Sequence, residues 1–449
     1  MRPLSAASRK APWIVPAALS FFLVSCGSSS AFYTGVENDI AAGKYGSAVE
    51  QVRANRRAYG DKSTVLYKLD MGLLFHYAGS PDSSNLYFFA AEKEIGELYT
   101  KSISLAAASM LLNDNVLPYD GEDFERVLVN VFLALNYAQK GEPDDALVEA
   151  RKVDEKLREY ARQYDGKNRY QEDAFIRYVT GVLYESRGEI NDAFIAYRKA
   201  FETYGVYAKE YGTPAPSFLL DDLVRTATLM SFDDDAAAYR DLGGKPYSQG
   251  EDSSGTVIVL AYCGRGPVKQ EVRPSVSIPD DKGVIHTFQL ALPKFVPRHQ
   301  SGMRYTIDVR QGEGAASMKA TTEVAEDVTA IASRTLEDRL SLIYLKSGGR
   351  ALLKFLAAEK GKSEIAKGDN KLANFLGSLA VDLTVAATEQ ADLRTWRTLP
   401  AEFQIARLDV APGDYTVRVS SSDGKYLLPG EPVNVRPGKS TFLIVDDIR

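Results

Sequence analysis

The chain has 449 residues, 45% apolar and 25% charged, with a formal net charge of −6. That balance belongs to a folded globular protein with room for two or three domains, and it excludes a low-complexity or disordered chain. An acidic whole also lacks the broad basic footprint on which nucleic-acid binding rests.

Arg2, Arg9 and Lys10 precede an apolar run from Trp13 to Val24 that is too short to span a bilayer. The run closes on Leu23-Val24-Ser25-Cys26, followed by Gly27 and Ser28-Ser29-Ser30. A basic start, a short apolar stretch and a small-residue processing site ending on cysteine predict a bacterial lipoprotein signal. Residues 1–25 are then removed, and Cys26 receives a diacylglycerol thioether and an acylated N-terminus. Each buried methylene contributes about 0.8 kcal/mol, so three acyl chains hold the chain on a membrane. Position 27 is Gly and not the Asp of an inner-membrane retention signal, which favours the periplasmic face of the outer membrane. Loss of the leader removes three basic residues and no acids, moving the net charge from −6 to −9. Residues 26–34 are expected to be a tether. Cys263, the other cysteine, then has no partner, so the fold stands without disulfides. It follows Val257-Ile258-Val259-Leu260 and is expected to be a buried strand-end thiol.

Residues 35–242 read as helices, with apolar side chains at three- and four-residue spacing. Small and aromatic residues recur within them: Gly181, Tyr184, Gly188, Ala193, Tyr197, Ala200, then Ala134, Tyr137, Gly141, Ala146, Ala150, and Gly72, Phe75, Gly79, Ser84, Phe88, Ala91. Gly43, Tyr45 and Ala48 form the tail of a fourth copy. Small residues let paired helices approach, aromatics fill the gaps, and Gly79, Gly141 and Gly188 suit the left-handed turn at a helix end. The copies resemble tetratricopeptide repeats, with extra helices expected around residues 95–130 and 215–240. Between copies lies Leu117-Pro118-Tyr119-Asp120-Gly121-Glu122-Asp123-Phe124-Glu125. It reads as a capped helix start, its acids suited to the positive helix N-terminus. As a functional alternative, Tyr119, Asp120, Glu122 and Asp123 form an acidic lip at the mouth of a repeat groove that receives a basic peptide of a partner.

Residues 243–255 are breaker-rich and polar, the best domain boundary in the chain. Beyond them, residues 256–449 switch to period two. Strands are expected at Thr256–Tyr262, Val272–Ile278, Thr287–Leu292, Tyr305–Val309, Phe403–Leu408, Tyr415–Val419 and Ser440–Val445. A helical insertion over about 328–389 interrupts them, in two pieces, Val328–Lys360 and Leu372–Glu389. Ala411–Val417 and Val433–Lys439 look like the closing hairpin of a transthyretin-like or immunoglobulin-like sandwich. The expected fold is therefore multidomain, an α-solenoid followed by a β-sandwich-like domain.

No catalytic set emerges. His76, His286 and His299 are not spaced as metal ligands, and His76, between Phe75 and Tyr77, is expected to pack. Nucleophile elbows, zinc-protease helices and phosphate loops are absent from the sequence. Gly264-Arg265-Gly266 lacks the third glycine of a dinucleotide turn, and a hairpin or bulge is expected there. Neither an enzyme nor a cofactor is expected. A second notable string runs from Thr388 to Pro400, where Asp392, Arg394 and Arg397 surround Trp396. It is read as an internal clamp or, alternatively, as an exposed aromatic–arginine hot spot for a partner.

The lipobox, the Asp120–Val127 run and the Ala391–Pro400 run together resemble an uncharacterised family of Gram-negative outer-membrane lipoproteins. Its members carry tetratricopeptide-like helices ahead of a β-rich half. Departures lie in Arg310–Ala325, Gly361–Asn370 and the last strands. The resemblance implies an envelope location and the company of other envelope lipoproteins, including relatives of penicillin-binding-protein activators. It brings no catalytic residue. The function expected is a non-enzymatic interaction scaffold, anchored through its N-terminal lipid, whose groove binds an envelope protein partner, possibly another outer-membrane lipoprotein. The alternative is a glycan- or lipid-binding envelope module.

Overall fold

A computed structural model describes residues 27–104, 117–247, 254–279, 285–298, 302–312, 316–341, 343–344 and 390–448. The leader, Cys26 and the expected helix Leu372–Glu389 lie outside the described residues. So does the expected helix Val328–Lys360 beyond residue 344.

Helices come first: α1 (Gly27–Ala41), α2 (Tyr45–Ala54), α3 (Arg56–Tyr59), α4 (Thr64–Tyr77), α5 (Pro81–Ser104), α6 (Asp123–Lys140), α7 (Pro143–Gln163), α8 (Ala174–Ser186), α9 (Ile190–Glu210), α10 (Phe218–Leu229) and α11 (Asp233–Asp241). The stretch expected to be a tether is thus helical from Gly27 onward. One turn recurs along the array. At Gly43, Gly79, Gly141 and Gly188 the backbone is left-handed, with φ of 68°, 64°, 74° and 80°. The amide after each glycine reaches back to a carbonyl five residues earlier: Lys44 to Asp39, Ser80 to Phe75, Glu142 to Tyr137, Glu189 to Tyr184. This double closure satisfies the carbonyls that a helix end otherwise orphans. Ser231 makes the same turn between α10 and α11 without a glycine, at φ 57°. Within hairpins the expected small–aromatic pairs meet. A Cβ on Gly72 would lie 2.6 Å from the Phe88 ring, and one on Gly181 would collide with Tyr197. The described helical part is therefore a repeat array of hairpins.

The strands are β1 (Gly255–Arg265), β2 (Val268–Val272), β3 (Ser275–Pro279), β4 (Ile285–Gln289), β5 (Leu292–Val296), β6 (Tyr305–Arg310), β7 (Ser317–Thr321), β8 (Glu323–Asp327), β9 (Pro400–Val410), β10 (Gly413–Ser421), β11 (Tyr426–Val435) and β12 (Ser440–Asp447). A helix, α12, covers 328–341. One sheet has the order β12-β1-β9-β8, with β1 parallel to β12 and antiparallel to β9. A second has the order β11-β10-β6-β7, all antiparallel, and contains the expected closing hairpin as β10–β11. The β2–β5 and β3–β4 pairs stand apart. Two expected strands are split. Val272–Ile278 breaks at Arg273-Pro274, because proline offers no amide to a ladder, and Thr287–Leu292 divides between β4 and β5.

Three layers result. Val257, Val259, Ala261 and Cys263 of β1 share a core with Ile307 and Val309 of β6 and Val417 and Val419 of β10. The alternate residues Ile258, Leu260 and Tyr262 join Phe403, Ile405 and Phe442 in a core with α4, α6 and α8. Covered on both faces, β1 is buried from Gly255 to Gly264, and so its sequence is continuously apolar. The breaker stretch 243–255 separates two kinds of secondary structure, yet one apolar cluster runs through both.

Candidate interaction site

The two notable strings come together. Glu125, fully buried on the first turn of α6, accepts from Tyr119 Oη at 2.5 Å, Glu122 N at 3.0 Å, Thr395 Oγ1 at 2.7 Å and Trp396 N at 2.7 Å. Burial first, then the neighbouring Glu122 charge, pushes its carboxyl up. Glu122 itself pairs with Lys269 of β2 and with Arg339 of α12. Burial pulls its carboxyl upward, but those two cations overcome it and hold it down at about 2. Arg126 binds Asp120 at 3.0 Å and lies 3.8 Å from Asp123, which also accepts from Tyr164 Oη at 2.7 Å. Arg394 clasps Asp392 at 2.6 Å, donates to the carbonyls of Lys62 and Leu117, and lies 5.1 Å over the Tyr119 ring.

Tyr119, Glu122, Asp123 and Trp396 are therefore buried in a junction between α6 and the segment before β9, not displayed as a docking lip. Asp120, Asp392, Arg394 and Arg397 are half-buried and spend their charges on one another or on internal partners. The first string starts α6 as a capped helix, and the second packs against it. The expectation of an exposed partner surface is corrected for Tyr119, Glu122, Asp123 and Trp396, which are withdrawn from water.

The same junction locks α1 and α4. Glu37 of α1 meets Arg298 at 2.7 Å, Arg397 at 2.9 Å and Arg265 at 3.8 Å. Asp70 of α4, wholly buried, accepts from Tyr33 and Tyr59 at 2.7 Å and from Thr398 at 2.8 Å. His76 packs as expected. It lies between Asn136 at 2.6 Å and Tyr262 at 2.8 Å, and burial pushes its imidazole down to about 4, leaving it neutral. The sheet face of β1 and β9 packs on α4, α6 and α8 through one apolar cluster. Farther along, Arg407 of β9 meets Asp222 at 3.1 Å and Glu185 at 3.3 Å, tying α10 and α8 to the sheet.

A carboxylate pair lies deeper. Asp173 caps α8 through Ile176 N at 2.8 Å and accepts from Tyr170 at 2.8 Å, with the buried Glu326 of β8 beside it. Burial, then the Asp173 charge, pushes Glu326 well up. Asp173 is 0% and Glu326 1% exposed, so both are closed off from solvent. Among the described residues, no three His, Cys, Asp or Glu stand where a metal could be held. Cys263 is buried, and burial raises its thiol.

Open recesses lie beside α9, among the described residues. A recess of about 460 Å³ between the 164–173 loop and α9 is lined by Arg169, Gln171, Glu172, Glu202, Val206 and Glu210, among others. A neighbouring cleft of about 260 Å³, lined also by Asp154, Arg158, Arg177 and Lys199, shares Gln171, Glu172 and Glu202 with it. Val206 presents 48% of its surface there. None of these residues stood out in sequence, because a mixed-charge helix face reads as ordinary solvated surface.

No protein-family profile and no curated protein matches the chain. Solved structures similar to it include MamA of AMB-1, at 18% identity, covering 49% of this chain and 96% of that one with a TM-score of 0.29. The TPR-like repeats of a Podospora anserina kinesin light chain protein are 11% identical, covering 49% and 94%, with a TM-score of 0.31. BtubC (BKLC) from P. vanneervenii is 15% identical, covering 50% and 93%, with a TM-score of 0.28. The repeat architecture rests on the recurring turn and the glycine–aromatic contacts above.

Proposed function

We propose that this chain is a lipid-anchored, non-enzymatic docking protein of the bacterial envelope, held through Cys26 on the periplasmic face of the outer membrane. A protein partner docks in the recess between the 164–173 loop and α9, and the β half, read as transthyretin- or immunoglobulin-like, acts as an internal brace. The observations that support this are the packing of the sheet on α4, α6 and α8 and the open recess around Val206 beside α9. Its lining of both charge signs beside one exposed valine suits a polypeptide with mixed charges better than an acyl chain.

Two measurements test it. Intact-mass analysis of protein taken from membranes is expected to find three acyl chains on Cys26, and none in a Cys26→Ala form. A photo-crosslinking residue placed at Val206 in cells is expected to give a discrete protein adduct, whereas one at Tyr426, 61% exposed on β11, gives none. Equal labelling from both positions, or from neither, sinks the docking reading.

A further inference from the structure

The first helix fixes what lies beside the anchor. It begins at Gly27, one residue beyond Cys26, and turns at Gly43 into α2, which runs back along it. The end of α2 and the short α3 therefore lie beside the beginning of α1. Phe32 and Tyr33 meet Tyr59 with ring centroids 5.7 and 6.0 Å apart. At the α-helical rise, Phe32 stands about 7.5 Å along the axis from Gly27, the first residue of α1. The helix does not swing freely, because Tyr33 is bonded to Asp70 and Glu37 to Arg298 and Arg397.

This end of an acidic protein is locally basic. Between residues 50 and 62, Arg53, Arg56, Arg57 and Lys62 are all exposed and face only Glu50 and Asp61 in the same segment. Arg53 reaches Glu50, and the guanidinium of the exposed Arg56 lies 5.2 Å over the Tyr67 ring.

We propose that this end is a second membrane contact: the basic surface of α2 and α3 rests on anionic phospholipid headgroups beside the acylated cysteine. The inference rests on the anchored reading above and deepens it. An acyl anchor alone holds the protein at the bilayer but leaves it free to tilt. Cations beside the attachment point select one tilt, because each gains from the negative surface potential only within about a Debye length. With α1 rigidly docked, that tilt sets which face of the array looks away from the membrane.

The test uses the unlipidated chain from residue 26 carrying Cys26→Ala, so the patch acts without acyl chains. It is sedimented with vesicles of phosphatidylcholine, or of phosphatidylcholine with phosphatidylglycerol. Binding is expected only to the anionic vesicles and is expected to be released by salt. The triple variant R53Q/R56Q/R57Q should lower it by roughly tenfold or more. The three side chains are exposed, so an unchanged thermal melt is expected and shows that the variant is folded. Arg57→Glu alone gives a second reading in the same direction. Failure to bind either vesicle, equal binding to both, or indifference to the arginine substitutions overturns the proposal. An unacylated Cys26 in protein from cells instead overturns the anchor reading, so the two failures are told apart.

Discussion

Trp396 donates its backbone N–H to the carboxylate of Glu125 at 2.7 Å, which fixes the segment before β9 onto the first turn of α6. The Trp396 ring extends the same contact, lying 5.8 Å from Phe88 and 5.8 Å from Phe132, and its indole N–H reaches Thr398 at 3.0 Å. Thr398 in turn donates to Asp70. A single short segment, 395–398, thereby bonds two different helical hairpins to the β half.

Replacing Glu125 is expected to break this joint. Glu125→Ala leaves four donors, from Tyr119, Glu122, Thr395 and Trp396, without an acceptor in a dry site. The expected loss is about 3–5 kcal/mol, with Glu125→Gln losing less because one amide oxygen remains. Urea titration followed by tryptophan fluorescence reads it directly. A loss under about 1 kcal/mol for the alanine form would show that the junction does not hold the layers together.

Features that repeat within a few residues were legible in the sequence, and features that join distant segments were not. Gly79, Gly141 and Gly188 announced their turns, and Gly72 with Phe88 announced a close helix pair, because local sterics demand those residue types wherever they occur. The apolar run at Val257 revealed a strand, and its lack of alternation follows from burial on both faces. Ser231 hid its turn by using a residue that tolerates the left-handed region poorly. The acidic string was read correctly as a helix start, since Glu125 accepts from Glu122 N in the manner of a capping box. Lys269 and Arg339, which neutralise Glu122, gave no signal. A lysine on a strand and an arginine on a helix normally face water, and only the layer packing brings them inward.

The turn and close-approach residues sort by sign. Gly181→Ala and Gly72→Ala force a methyl into Tyr197 and Phe88 and are expected to destabilise by about 1–3 kcal/mol. Ser231→Gly relieves a left-handed serine at φ 57° and is expected to stabilise by about 1 kcal/mol. Thermal melts of the three variants test this, and a Ser231→Gly form less stable than the parent contradicts it.

Asp70 makes stability fall as pH rises through a defined window. Burial pushes it up to about 6, against the hydrogen bonds from Tyr59, Tyr33 and Thr398 that pull it down, whereas its ordinary value is 3.8. Between about pH 4 and pH 6 the folded chain keeps a proton that the unfolded chain releases, so raising pH favours unfolding. Asp70→Asn removes that contribution. Relative to the parent, its stability should gain on the order of 3 kcal/mol across the window. Parallel pH profiles for the two proteins would contradict the assignment.

Glu122 works in the opposite sense. Burial raises its carboxyl, but Lys269 and Arg339 hold it at about 2, well below the ordinary 4.5. Its ion pairs therefore stabilise the fold above about pH 4.5, and that stabilisation is lost as pH falls toward 2. Glu122→Gln strands the Lys269 ammonium, whose side chain is 2% exposed, and is expected to cost about 3 kcal/mol at neutral pH while flattening the acid limb. Removing the lysine as well separates attraction from burial. If the cost comes from an uncompensated buried charge, Glu122→Gln with Lys269→Met recovers most of the loss, because methionine fills the site between Tyr119 and Phe295 without a charge to solvate. A double variant no more stable than Glu122→Gln would instead place the cost in Arg339, the remaining cation on that carboxylate.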